Sequence, residues 1–263
     1  MGADPQTWHH GIVAAWWAEF NVGGPEVDYF RGFIERSGQP ALDVACGAGR
    51  LLVPYRLAGL DVDGCDISAD MIAACRRKLD DAGTDARIWE QAMHELDPPR
   101  RYRTIVVCGG FGLGSTRARD EEALRRFHSA LEPGGLLVLD VELPYAYTRH
   151  WPYWLKDGRA ALPEPWREPE RRVAADGAEL ALRTRVVDLD PLEQVVTMEL
   201  RAERREDSGS AEETHRLTIT LYFRDELREM IRTAGFSDVE VFAGNTVRPA
   251  TRDDDVLVFA ARA

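Results

Sequence analysis

Asp43 and Asp66 each close a short apolar run, twenty-three residues apart, and a Gly47-Ala48-Gly49 turn follows the first of them. Glycines in such a turn let the backbone approach a ligand closely. A carboxylate at the tip of the next strand is placed to accept both hydroxyls of a ribose. The pattern describes a nucleoside site at the carboxyl edge of a parallel sheet. A dinucleotide would need a third glycine three residues after Gly49, to let helix and strand pack around its pyrophosphate. Leu52 stands there, and the next glycine is Gly59. Asp43 also precedes the turn, where it would repel a phosphate and attract an ammonium group.

Positioning these groups requires strands and helices in alternation. Apolar runs at 41–45, 60–65, 86–89, 104–108 and 135–141 are short and continuous, as strands buried on both faces are. Between them, Ser68 is a good N-cap for a helix that puts Met71, Ile72, Cys75 and Leu79 on one face. A second stripe, Leu124, Phe127 and Leu131, stops at Pro133-Gly134-Gly135. Such alternation predicts a parallel sheet with helices on both sides. After Pro144 the grammar changes. A loop rich in tyrosine, tryptophan and proline leads into period-two alternation over Leu180–Val186, Val196–Ala202 and Leu217–Phe223, which predicts an antiparallel meander. The α/β pattern resumes with a helical stripe from Leu227 to Ala234 and strands at 238–242 and 255–261.

The 263 residues suffice for one sizeable core, and the net charge of −12 argues against a nucleic-acid binder. The apolar stretch from Gly11 to Ala18 stops at Glu19, too short for a membrane span. Cys46, Cys65, Cys75 and Cys108 lack zinc spacing, so no metal is expected. They read as small buried hydrophobes in a reducing cytoplasm.

The stretch Asp43-Val44-Ala45-Cys46-Gly47-Ala48-Gly49 resembles the first motif of class I S-adenosylmethionine-dependent methyltransferases. That resemblance implies a Rossmann-like, doubly wound seven-stranded sheet with a reversed last strand and, here, an inserted antiparallel β meander. It implies S-adenosyl-L-methionine as cofactor, held by Asp43, Ala45, Gly47, Gly49, Asp66, Ile67, Met71, Ala92, Met93 and Cys108. Met71 can equally be plain core. Ala92 stands where the family carries an acidic residue that reads the adenine, so Gln91 or the Met93 amide is the alternative donor or acceptor. Cys108-Gly109-Gly110-Phe111 would form the path by which an acceptor approaches the sulfonium, or simply a tight turn.

Three parts follow: an N-terminal helical cap (1–36), a cofactor-binding core (37–143 and 224–263) and a meander serving as substrate cover (144–223). The helix from Trp8 to Phe20 is either a packing element or a lid. Glu142 and Tyr145 are the candidates to hold or deprotonate an acceptor, with Tyr147 beside them; a loop salt bridge is the plainer role for Glu142. Trp16, Trp17, Phe111, Trp151 and Trp154 would wall the acceptor pocket. The layout is similar to that of nucleotide-sugar N,N-dimethyltransferases. The expected function is N- or O-methylation of a small molecule in secondary metabolism, by an enzyme that binds neither nucleic acid nor membrane and can form a homodimer. A cofactor-binding protein without turnover, acting through a protein partner, is the other reading.

Overall fold

The computed structural model describes residues 7–146 and 148–263, so Tyr147 and residues 1–6 lie outside the described residues. In chain order the elements are α1 (Gly11–Phe20), α2 (Pro25–Ser37), β1 (Ala41–Val44), α3 (Leu52–Leu57), β2 (Val62–Asp66), α4 (Ala69–Asp81) and β3 (Ile88–Glu90). A 3₁₀ turn (Met93–Glu95) precedes β4 (Tyr102–Val107), α5 (Arg117–Ala130), β5 (Leu131–Glu142), α6 (Trp151–Trp154) and α7 (Lys156–Arg159). Then come β6 (Glu170–Val173), β7 (Glu179–Asp190), β8 (Val195–Glu206), β9 (Gly209–Thr220), α8 (Arg224–Thr233), β10 (Ser237–Ala243) and β11 (Val256–Arg262).

The continuous apolar runs become the central strands of a seven-stranded sheet ordered β10-β11-β5-β4-β1-β2-β3. Only β11 runs against its neighbours, pairing antiparallel with both β5 and β10. One face of the sheet carries Leu137 and Leu139 of β5 and buries Leu124 and Phe127 of α5 with Leu227 and Ile231 of α8. The other carries Leu136 and Val138 and buries Phe30 and Phe33 of α2 with Leu52 and Ile72. This alternation along β5 follows from the two-residue period of a strand. Leu131 departs from the helical stripe expected for it: α5 ends at Ala130, and Leu131 already pairs with Tyr102 in the sheet.

The meander is a separate four-stranded sheet, β6-β7-β8-β9, with β6 an edge strand that the period-two pattern had not indicated. Its apolar face (Leu180, Leu182, Val186, Val196, Met198, Leu200, Leu217) closes over Val13 and Trp16 of α1. Phe223, expected on that face, instead precedes α8 as its N-cap. The sheet is tied to the carboxyl edge of the core. Gly114 N donates to Thr218 O (2.8 Å) and Thr220 N to Gly112 O (2.9 Å), joining β9 to the loop after β4. Among the described residues, no helix is long and apolar enough to cross a membrane.

Candidate active site

The turn after β1 is built around Asp66. Its Oδ2 accepts from Gly47 N (2.9 Å) and its Oδ1 from Ser68 N (2.8 Å), so one carboxylate holds both the glycine turn and the start of α4. Gly47 lies at φ +55° and Gly49 at φ +81°, a region that favours glycine; a Cβ on Gly49 would also stand 2.8 Å from Cys75 Sγ. Ala45 adopts φ +57° despite its side chain, the kind of strain that collects at functional sites. Each Asp66 oxygen keeps a second lone pair for a further donor. Burial pushes this carboxyl up from its ordinary value, and the Ser68 and Gly47 amides pull it down.

Asp43 is the most telling residue of the set. It is 2% exposed, and its Oδ2 has no hydrogen-bond partner among the described residues. Burial pushes its pKa up to about 7, with Arg50 opposing and Asp66 adding to the rise. A buried acceptor without a donor is costly, and native proteins rarely keep one without a reason. A cationic donor bound over the Gly47–Gly49 turn would supply that reason.

Beyond Asp66, Ile67 leaves an apolar side chain 49% exposed at the sheet edge. Met71 is buried with Ala14, Ala48 and Ala74, between the glycine turn and α1. Ala92 is the N-cap of the 3₁₀ turn, which leaves the amides of Met93 and His94 without a partner inside that turn. Gln91 is already engaged, because its Oε1 accepts from Trp89 Nε1 (2.8 Å) and from Asp97 N (3.2 Å). The Met93 amide is therefore the better placed of the two alternatives to Ala92.

At the end of β4 the structure gathers Arg50, Glu26 and Asp140, which sequence reasoning did not single out, around Cys108 and Gly109, which it did. Cys108 Sγ receives a contact from Arg50 Nη2 (3.4 Å) and donates to Asp140 Oδ2 (3.7 Å). Arg50 also pairs with Glu26, which ties α2 to the glycine turn. Gly109 N donates to Asp140 Oδ1 (2.5 Å). Asp140 hides inside the fifth strand's apolar run, and only the pairing of β4 with β5 brings it to Cys108. A further missed carboxylate, Glu164, accepts from Arg149, Tyr153 Oη and Val186 N and so pins the loop after β5 onto β7.

The expected acceptor groups are scattered. Glu142 is exposed, and Tyr145 Oη lies 3.5 Å from Asp254 O, so both stand at the outer hairpin between β10 and β11. Trp16 is buried beneath the meander and Phe111 packs on Tyr222, with ring centroids 5.5 Å apart. Trp151 is 48% exposed and, with Phe223, flanks Trp154. Trp17 alone among the five also contacts the cofactor-turn cluster. Its Nε1 and that of Trp154 are buried without a partner among the described residues.

The helix α1 lies across this site. Gly11 N donates to Asp70 Oδ2 (2.8 Å), Ser68 Oγ to His9 O (2.5 Å), and the Ile12 and Val13 amides to Glu213 of β9. His9 beneath it is held down to a pKa of about 4 by burial, with His10 adding repulsion.

A seven-stranded sheet with one reversed strand, a glycine turn after β1 and acids in β1 and at the end of β2 is the arrangement that the resemblance to class I S-adenosylmethionine-dependent methyltransferases implies. Residues 41–135 match the family model described as a methyltransferase domain. The chain is 32% identical over 114 residues to a demethylmenaquinone methyltransferase of Thermus thermophilus, covering 42% of this chain and 50% of that protein. It is 30% identical over 100 residues to a dTDP-3-amino-3,4,6-trideoxy-alpha-D-glucopyranose N,N-dimethyltransferase of Streptomyces venezuelae, covering 38% of this chain and 40% of that one. The chain thus spans about half the length of the curated relatives it matches. Among solved structures, the CcbJ methyltransferase of Streptomyces caelestis shares the fold over 99% of both chains, with a TM-score of 0.73 at 20% identity.

S-adenosylmethionine fits the residues present: an unpartnered buried carboxylate could take its ammonium and a second carboxylate its ribose diol. Asp66→Ala should weaken binding of S-adenosylhomocysteine by about 1.5–3 kcal/mol, the range for hydrogen bonds to a charged group. Calorimetry returning the wild-type affinity would remove Asp66 from the ribose.

Proposed function

We propose that this protein transfers a methyl group from S-adenosylmethionine to the amino group of a small organic acceptor, in secondary metabolism. The observation that carries the cofactor half is Asp43, buried and unpartnered beside the glycine turn. Bound there, the cofactor supplies a methyl carbon already activated by a positive sulfonium. In this reading Asp43 holds its ammonium, Asp66 its ribose, and Ile67, Met71 and the Met93 amide flank its adenine. Ala45, Gly47, Gly49, Ala92 and Cys108 line the remaining contact.

The acceptor half rests on enclosure and on chemistry. The meander and α1 form a cover over the carboxyl edge, which excludes water and leaves the chain to align the acceptor. Such positioning alone contributes on the order of 7–11 kcal/mol. The dTDP-amino-sugar named for the Streptomyces venezuelae relative supports an amine. So does the density of carboxylates in β1, β2 and β5, which attracts an amino group and would repel a phenolate. Four free cysteines suit a reducing cytoplasm. Incubation with methyl-labelled S-adenosylmethionine and a panel of amino-sugar nucleotides, phenols and carboxylic acids, read by mass spectrometry, tests the reading. Label transferred to oxygen acceptors only would overturn it.

A further inference from the structure

We propose that Asp140, rather than Glu142, is the carboxylate that holds the acceptor's amino group and takes its proton, an inference that rests on the amine reading above. Asp140 belongs to the α2-facing side of the sheet. Leu136 and Val138 of β5, Val106 of β4 and Ala41 of β1 all pack in the cluster of α2. Two residues further along each strand, on the same face, stand Asp140, Cys108 and Asp43. Cys108 and Asp140 stand level at the carboxyl edge, and Asp43, paired with Val106, sits two residues further back on the same face across β5, β4 and β1, which are neighbours in the sheet.

Their spacing separates two tasks. Asp43 and Asp140 lie two strands and two residues apart, roughly 12 Å at about 4.8 Å per strand and 3.3 Å per residue. A single ammonium cannot serve both. Asp43 is accounted for by the cofactor, so Asp140 is left for a second group arriving over β4.

The backbone beside Asp140 is open at Gly109. A Cβ added to Gly109, whose amide sits on Asp140 Oδ1, would meet nothing within 4 Å. On its α2 side, Tyr29 carries a buried hydroxyl with no hydrogen-bond partner among the described residues. Asp140 pushes that hydroxyl's pKa up, after burial, to about 12, with Arg36 opposing, so the tyrosine stays a neutral donor or acceptor.

The cation beside Asp140 is shared with other groups. Arg50 faces it but is shared with Glu26 and Cys108. Cys108 stays a thiol, because burial and the Asp140 charge push it up. Glu142, the next carboxyl along β5 and exposed as a residue, is itself raised by partial desolvation of its carboxyl group, by Asp140 and by Asp255. Burial likewise raises Asp140 above the usual carboxylate range, and the Gly109 amide opposes it. A carboxylate raised in this way is a stronger base. A nitrogen that gains the methyl group loses one proton, while the electrons of the broken carbon–sulfur bond remain on sulfur. Asp140 receives that proton.

The test compares the wild type with Asp140→Asn, which keeps the acceptor oxygen for Gly109 N. Asp140→Glu is the second variant, should the amide fold poorly. The probe acceptor is dTDP-3-amino-3,4,6-trideoxy-α-D-glucose, and S-adenosylhomocysteine is titrated separately by calorimetry. Asp140→Asn should keep S-adenosylhomocysteine affinity within about twofold. It should lose on the order of a hundredfold in kcat, the lower end for a lost general base, together with the acidic limb of the pH profile. Asp140→Glu should retain that limb. An active wild type whose Asp140→Asn variant keeps both kcat and the limb would defeat the role of Asp140 alone. So would a tenfold loss of S-adenosylhomocysteine affinity with unchanged kcat, which would assign Asp140 to the cofactor. A wild type that binds and methylates no amine would defeat the amine reading and this inference with it.

Discussion

Asp43→Asn should weaken S-adenosylmethionine binding roughly ten- to hundredfold, from about 1.5–3 kcal/mol of lost charge-assisted bonding, and should erase its dependence on pH. In the wild type the cofactor's ammonium favours the ionised carboxylate, whose pKa without ligand is about 7. Affinity should therefore rise about tenfold between pH 6 and pH 8. The same substitution should act on stability with the opposite sign. The pKa of Asp43 in the folded chain lies above the ordinary aspartate value of 3.8. Between the two values the folded protein holds a proton that the unfolded chain has released. Stability is then lost as pH rises through this window, by at most ~4 kcal/mol at 1.36 kcal/mol per pH unit. The ligand-free variant should consequently match the wild type near pH 4 and exceed it at pH 8. Thermal denaturation at the two pH values and calorimetry at pH 6 and 8 read both effects. A variant equally weakened at both pH values, with no gain in stability, would show that Asp43 meets no cation.

Trp16→Ala should be the most destabilising change outside the central sheet. Trp16 is 6% exposed, packs edge-on against Phe20 at 4.9 Å and carries the Arg172 guanidinium 5.4 Å from its ring centre. Removing a buried tryptophan typically costs 3–5 kcal/mol. At about 2–4 °C per kcal/mol for a chain of this size, Tm should fall by roughly 10 °C. Because α1 touches both the meander and the cluster of Ala48 and Met71, cofactor affinity should fall as well. Hydrogen exchange should quicken first in residues 11–20. Unchanged Tm and unchanged affinity would mean that α1 does not cover the site.

The sheet was legible in the sequence because its strands are buried on both faces and separated by helices with clear stripes. Runs such as Ala41–Val44 and Leu136–Leu139 announce their burial without any tertiary information. The glycine turn and the acids that flank it were equally legible, since their spacing is local and their chemistry is carried by residue type. Ser68 capped α4 as its type suggested, accepting from Met71 N at 3.2 Å. The surroundings of the β5 end were not legible. Glu142 stood out because it ends a strand beside aromatics, whereas pairing with Val256 puts it at the outer hairpin. Asp140, two residues earlier, looked like an interruption in a core strand.

What the sequence by itself determined was the order of the central elements and the glycine turn with its flanking acids, all set by periodicity and by groups within one βαβ unit. Tertiary structure alone decided which distant residues complete the site. The N-terminal amides of α1 are satisfied by Asp70, in α4, and Glu213, in β9, residues 59 and about 200 positions away. His10, the helix's own N-cap, offers no side-chain bond. Likewise β4 and β5 must pair in register before Cys108 and Gly109 meet Asp140. The physical reason is that capping and charge pairing depend on distance in space, which residue type and local spacing do not encode.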